Sequence, residues 1–261
     1  MKVNILGVEI DKITETETLE RIEKWIKTGG KHYVVTPNAE FIMAAQHDQE
    51  FKKILNQADL AIPDSARIGW ALQILRTKGL KKFLLWPFFL WPKLGQMSQF
   101  PVATGTDLME KLISESAENA VTIGFLGGTN GIALKLLERL KRKYPKLKIG
   151  FANSDVWVNQ KGEMTKGEEL IENLEIPLDI LFVAFGMQKQ EKWIAKNLRK
   201  LPVKIMIGVG GAFDYLSGEV PRAPNWIRVM GFEWLYRVIL QPWRIKRFWS
   251  LVKFAFIVML H

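Results

Sequence analysis

The run Val121-Thr122-Ile123-Gly124-Phe125-Leu126, then Gly127-Gly128-Thr129-Asn130-Gly131, then the helical stretch Ile132–Lys143, decides the fold. A short continuous apolar run is a strand buried on both faces, and the glycine cluster turns the chain into the helix behind it. The same unit recurs along the chain. His32–Thr36 reads as a strand with helix-like sequence from Ala39, and Leu60–Asp64 as a strand with Ser65–Leu75 helical behind it. Further strands are expected at Lys148–Ala152, Ile180–Ala184 and Lys204–Val209, each separated by a helical segment. Lys2–Asp11 reads as one short strand and not as the apolar core of a signal peptide. Alternation of this kind predicts an α/β fold, a Rossmann-like and mainly parallel sheet with helices on both faces. No repeat or low-complexity linker interrupts it. The expected organisation is a catalytic domain over 1–218 and a C-terminal helical appendage over 219–261.

At 261 residues, 48% hydrophobic and 25% charged, the chain has room for a sizeable core. The absence of cysteine excludes a disulfide scaffold, a thiolate nucleophile and a Cys-ligated metal. Three widely spaced histidines, His32, His47 and His261, make a multi-histidine metal centre an unpromising reading. No metal or other cofactor is expected.

The net charge of +10 is concentrated. Residues 76–100 hold Arg76, Lys78, Lys81, Lys82 and Lys93 and no acid. From Glu219 onward there are seven basic residues against Glu219 and Glu233, so the rest of the chain is neutral. Both segments are also aromatic. The first, an apolar basic insertion over 77–100, contains Phe83-Leu84-Leu85-Trp86-Pro87-Phe88-Phe89-Leu90-Trp91-Pro92, too short and too proline-broken to span a bilayer. In the second, Ile245, Phe248, Val252, Ala255 and Met259 recur at helical spacing while Lys246, Ser250 and Lys253 share another face. That pattern predicts an amphipathic helix lying in an anionic membrane surface, where each Lys or Arg contributes about 1 kcal/mol. Packing on a partner subunit or on the core is the alternative. Nucleic acid fits poorly, because the aromatics form apolar runs and are not spaced along a polar basic groove. The expected location is the cytoplasmic face of the cell membrane, as a peripheral protein.

Ligands of such sheets bind beyond the carboxyl ends of the strands. There the chain places Thr36 and Asn38, Asp64, the glycine turn 127–131, Gly186 with Gln188-Lys189-Gln190-Glu191, and Gly208–Asp214. Gly127 and Gly128 suit a backbone cradle for a diphosphate, or simply a tight turn. The spacing is not the dinucleotide-binding G-x-G-x-x-G, which disfavours an oxidoreductase. No Walker lysine and no Asp-x-Asp pair is present, so a bound diphosphate would have to be met by backbone dipoles and by Arg or Lys. Asp64, behind an apolar strand and a proline, is the candidate general base; burial would raise its pKa from about 3.9. Its alternative role is the N-cap of the helix that follows.

Several stretches in order resemble one family: Thr36-Pro37-Asn38 with Glu40, Ile62-Pro63-Asp64, Thr104-Gly105-Thr106-Asp107-Leu108, Phe125-Leu126-Gly127-Gly128, and Phe182–Gly186 with Lys189–Trp193. Gly208–Gly218, Arg222-Ala223-Pro224 and Gly231–Arg237 with Pro242 and Arg244 complete the set. Together they resemble the WecG/TagA/CpsF glycosyltransferases, glycosyltransferase family 26, over nearly the whole chain.

The resemblance implies an inverting, metal-independent transfer of an N-acetylmannosamine-type sugar. The donor would be a UDP-sugar and the acceptor a polyprenyl-diphosphate-linked N-acetylglucosamine, in teichoic acid or related surface-glycan synthesis. It implies Asp64 as base, Thr36 and Asn38 lining a sugar site, and Gln190 near the nucleotide sugar. Arg222, Arg228 and Arg237 would lie in an appendage that closes over the site. Two departures stand out: Ser65 follows Asp64 where glycine is frequent, and Phe100-Pro101-Val102-Ala103 precede Thr104 where an arginine is common. Arg67, Arg76 or a nearby lysine would then meet the donor's charge. A different UDP-hexose donor, or a non-catalytic membrane-associated nucleotide-binding protein, are the alternatives, and a homo-oligomer is compatible with either.

Overall fold

The computed structural model describes residues 1–89, 101–172, 174, 176–230, 232–242 and 245–261. The part of the apolar insertion from 90 to 100, together with Gly231 and Arg244, lies outside the described residues. The chain opens with a hairpin of β1 (Lys2–Ile5) and β2 (Val8–Asp11). The central sheet follows, built from β3 (His32–Val35), β4 (Leu60–Ala61), β5 (Thr122–Gly127) and β6 (Lys148–Asn153). A small antiparallel pair, β7 (Trp157–Val158) and β8 (Met164–Lys166), precedes β9 (Leu178–Ala184) and β10 (Val203–Gly208), which re-enter the central sheet. That sheet has six strands in the order β4-β3-β10-β9-β5-β6, every pair parallel.

Alternate residues of each inner strand feed two separate cores. Ile180, Phe182, Ile205 and Ile207 face one side, with helices Glu15–Thr28, Gly105–Glu118, Ile132–Lys143 and Ala212–Leu216. Leu181, Val183 and Met206 face the other, with helices Ala39–His47, Gln49–Asn56, Ala66–Arg76 and Lys189–Asn197. Both faces of the strand are apolar, so it reads as an unbroken hydrophobic run. The expected Rossmann-like parallel sheet is therefore the observed one. Two local expectations differ. The single strand over Lys2–Asp11 is a hairpin, because Leu6 and Gly7 turn with φ of 51° and 83° and the Gly7 N–H is held by Asn4 Oδ1 at 2.9 Å. Between β6 and β9 the chain forms the β7–β8 pair and the short helix Glu169–Glu172 in place of a crossover helix of ordinary length.

The C-terminal segment folds back over the sheet's second face. Helices Asn225–Met230 and Glu233–Leu240 lead to the helix Ile245–Leu260. Phe254, Ala255 and Val258 of this last helix are fully buried in the core shared with Ala39–His47 and Ala66–Arg76. The apolar face expected to meet a membrane is thus divided: Ala255 faces the protein, while Ile245, Trp249, Phe256 and Leu260 form a common exposed stripe. Leu80, Phe83 and Leu84 of the first aromatic segment are exposed as well. Among the described residues no helix is long and apolar enough to cross a membrane.

Candidate active site

A cavity of about 860 Å³ opens at the carboxyl ends of β4, β3, β10 and β9. Its floor is Thr36, Asn38, Asp64, Gly186, Gln190 and the Gly210-Gly211 turn, and its roof comes from the C-terminal segment through Arg228, Glu233, Trp234, Arg237 and Phe248. This is the size expected of a small-molecule site, placed where the strand order of a doubly wound sheet favours ligand binding.

Asp64 does not cap the helix that follows it. Ser65 takes that duty for Ala66–Arg76, accepting the Arg67 N–H at 3.2 Å. The Asp64 carboxylate instead accepts the Gly105 N–H at 2.7 Å, at the start of Gly105–Glu118, and a hydrogen bond from the Asn38 side chain. Asn38 is held in turn, because its Oδ1 caps Ala39–His47 through the Glu40 and Phe41 N–H groups at 2.9 and 3.3 Å. The carboxyl is open to the cavity but sunk away from bulk water. Burial pushes its pKa up to about 7, against the pull of the Gly105 N–H, Arg237 and Asn38, with Glu233 adding to the rise. A carboxyl poised near neutrality beside open space is chemically suited to accept a proton from a bound hydroxyl.

The remaining expected residues separate into those that line the cavity and those that do not. Thr36 is buried, with its hydroxyl 3.4 Å from the Gly208 carbonyl, and it packs against Gly105. Gln190 also lines the cavity, but its amide is engaged at both ends: Nε2 donates to Glu191 at 2.7 Å and Oε1 accepts the Gly210 N–H at 3.2 Å. Its observed work is to hold the turn after β10. Arg228 and Arg237 line the roof, Arg237 with its guanidinium 4.1 Å over the Tyr215 ring. Arg222 stands outside the lining and ties the segment down, pairing with Asp107 and lying 3.7 Å from Glu110. Gly127 and Gly128 do not line the cavity either. The Gly128 N–H is spent on the Ala184 carbonyl at 2.9 Å, and side chains there would meet Phe185 and Ile132, so this turn serves packing.

Two groups gain weight from the structure. Glu191 is fully buried beneath Gln190, accepts the Gln188 N–H at 2.8 Å, and is pushed up to about 7 by burial. Arg67, one of several cations the sequence could not rank, lies buried in the cavity wall with its guanidinium 5.5 Å from the Phe89 ring and 5.3 Å from the Trp234 ring. Arg76, its neighbour on the same helix, is exposed. Among the described residues no three of His, Cys, Asp and Glu gather as a ligand set for a metal.

A family model described as "Glycosyl transferase WecG/TagA/CpsF family" matches residues 3–98 and 86–261. The N-acetylglucosaminyldiphosphoundecaprenol N-acetyl-beta-D-mannosaminyltransferase of Staphylococcus aureus (strain MRSA252) is 27% identical over 258 residues, 98% of this chain and 91% of its own length. The protein of that name from Bacillus subtilis (strain 168) is 27% identical over 237 residues, 88% of this chain and 82% of its own. With the matched region running from the first strand through the roof of the cavity, the chain belongs to the WecG/TagA/CpsF family of glycosyl transferases.

Proposed function

We propose that this glycosyltransferase moves an N-acetylmannosamine-type sugar from a UDP donor onto a polyprenyl-diphosphate-linked N-acetylglucosamine, with inversion and without a metal. The single observation that carries the reading is the Asp64 carboxyl, held at a pKa of about 7 on the wall of the cavity. The acceptor and sugar named for the Staphylococcus and Bacillus relatives support the substrate classes. In this mechanism the acceptor hydroxyl oxygen attacks the donor's anomeric carbon on the face opposite UDP. The new C–O bond forms as the bond to the diphosphate breaks, the electron pair leaves with UDP, and the hydroxyl proton passes to Asp64. Asn38 and the Gly105 N–H fix the carboxylate, and Thr36 shapes the floor. The developing charge on UDP is met by guanidinium groups of the roof, Arg228 and Arg237. In this reading residues 219–261 act as an appendage to a catalytic unit of 1–218, closing the site and presenting the Trp249–Phe256–Leu260 stripe to an anionic membrane surface. A lipid-linked acceptor held there is delivered beside the base.

The test is product mass. With UDP-N-acetylmannosamine and a GlcNAc-diphosphoryl-polyprenol carried in anionic vesicles, the acceptor should gain one N-acetylhexosamine and release UDP, in EDTA as well as without it. No product from any UDP-hexose would refute the reading, and loss of transfer in EDTA would refute its metal-free part. Replacing both Trp249→Glu and Phe256→Glu should slow transfer to vesicle-borne acceptor and leave transfer to a short, water-soluble acceptor unchanged.

A further inference from the structure

Arg67 is placed where a guanidinium is expensive. It is 8% exposed, and its Nε is buried without a hydrogen-bond partner. Among the described residues it has no carboxylate partner, although Asp64 lies three positions before it and the cavity also holds Asp107 and Glu233. It occupies the second position of Ala66–Arg76, the positive end of the helix dipole, in a first turn that contains no acid. Burial lowers its pKa to about 10, yet it stays charged at neutral pH. The Phe89 and Trp234 rings offset part of the lost hydration through their faces. Neither ring accepts a hydrogen bond from the guanidinium edge as an anion would.

Placement adds to this. Phe89 belongs to the first aromatic segment and Trp234 to the second, and Trp234 stacks on Phe248 at 5.5 Å in the cavity wall. Arg67 is therefore clamped where the two segments meet, with its open side on the same cavity as Asp64. A cation held rigidly, desolvated and short of a counter-charge is a preorganised anion site, and the planar fork of Arg suits a phosphate bidentately.

We infer that Arg67 is a binding residue for the diphosphate of a substrate in this cavity. This rests on the proposed transfer reaction, in which two substrates carry a diphosphate: the nucleotide donor and the lipid-linked acceptor. Arg67 then joins the roof arginines, which line the same cavity, in meeting the bound anion.

The test compares wild type, Arg67→Met and Arg67→Lys in three arms: calorimetric binding of inorganic pyrophosphate, binding of UDP beside uridine, and KM for the lipid-linked acceptor. Arg67→Met should lose about 10-fold or more in pyrophosphate affinity, the range of a charge-assisted hydrogen-bond pair. Its thermal midpoint should equal or exceed that of wild type, because an uncompensated buried charge has been removed. Arg67→Lys, which keeps the charge but not the fork, should fall between. A matching loss for UDP with uridine unchanged assigns the nucleotide diphosphate; an unchanged UDP affinity with a raised acceptor KM assigns the lipid diphosphate. If folded variants bind pyrophosphate and UDP and use the acceptor as wild type does, the inference is overturned. A lower thermal midpoint in Arg67→Met with unaltered pyrophosphate binding in Arg67→Lys overturns it too, since Arg67 would then be a structural plug. Pyrophosphate binding that depends on Arg67 in a protein that transfers no sugar would sustain the inference while refuting the proposed reaction.

Discussion

Asp64 and Glu191 are both pushed by burial to a pKa of about 7, and they sit in different kinds of place. Asp64 lies on the wall of the 860 Å³ cavity, with one oxygen tied to Gly105. Glu191 is fully buried below the cavity floor, with both oxygens committed, one to Gln190 and one to the Gln188 N–H that starts its own helix. The pair teaches that a raised pKa does not by itself name a catalytic group. What separates them is room for a reacting atom: a hydroxyl can reach Asp64, whereas Glu191 acts only through Gln190 and the turn that Gln190 holds.

The largest expected effect breaks the pair apart. Asp64→Asn should lower turnover by about 10²–10⁴, the usual contribution of a positioned base, with UDP affinity nearly intact. Its stability should carry the opposite sign. The folded pKa of Asp64 lies above the ordinary carboxylate value, so the native state binds the extra proton between about pH 4 and 7 and loses stability as pH rises through that window. At pH 8 the asparagine variant should therefore melt no lower than wild type, and the difference should shrink as pH falls toward about 4. A variant that turned over normally would remove Asp64 as base.

A smaller effect sharpens the other half of the comparison. Glu191→Gln presents one acceptor where two N–H donors converge, leaving a buried group unsatisfied at a cost of about 1–3 kcal/mol. The thermal midpoint should drop, and turnover should fall only several-fold, through a loosened Gly210 turn. A loss as deep as that of Asp64→Asn, in a variant of unchanged stability, would place Glu191 in the chemistry.

The sheet was legible because each inner strand is apolar on both faces and announces itself as an unbroken run, as Ile180–Ala184 does. The first hairpin is hidden in the sequence because its turn puts Leu6, a residue that rarely takes a positive φ, beside Gly7, with the Gly7 N–H held by the Asn4 side chain. Thr36, Asn38 and Asp64 could be placed because parallel topology alone puts strand ends at one rim. The glycines at 127 and 128 could not be, since a phosphate cradle and a packed turn ask for the same residues; the choice is made by Phe185 and Ile132, met only in three dimensions. The resemblance puts Gln190 near the nucleotide sugar, and its second engagement, the amide held between Glu191 and the Gly210 N–H, has no signature in the sequence. Arg67 is decided by the rings of Phe89 and Trp234, about 22 and 167 positions further along the chain, which sequence spacing does not bring together.

The pH dependence of kcat/KM, in wild type beside Glu191→Gln, tests the central claim most directly. A base must be unprotonated to accept the acceptor's proton, so the rate should rise with pH and reach half its plateau near pH 7, where Asp64 titrates in the free protein. The same limb should persist in Glu191→Gln at lower amplitude. A flat profile between pH 5.5 and 8.5, or a limb that vanishes when Glu191 is replaced, would contradict the assignment of Asp64 as the base.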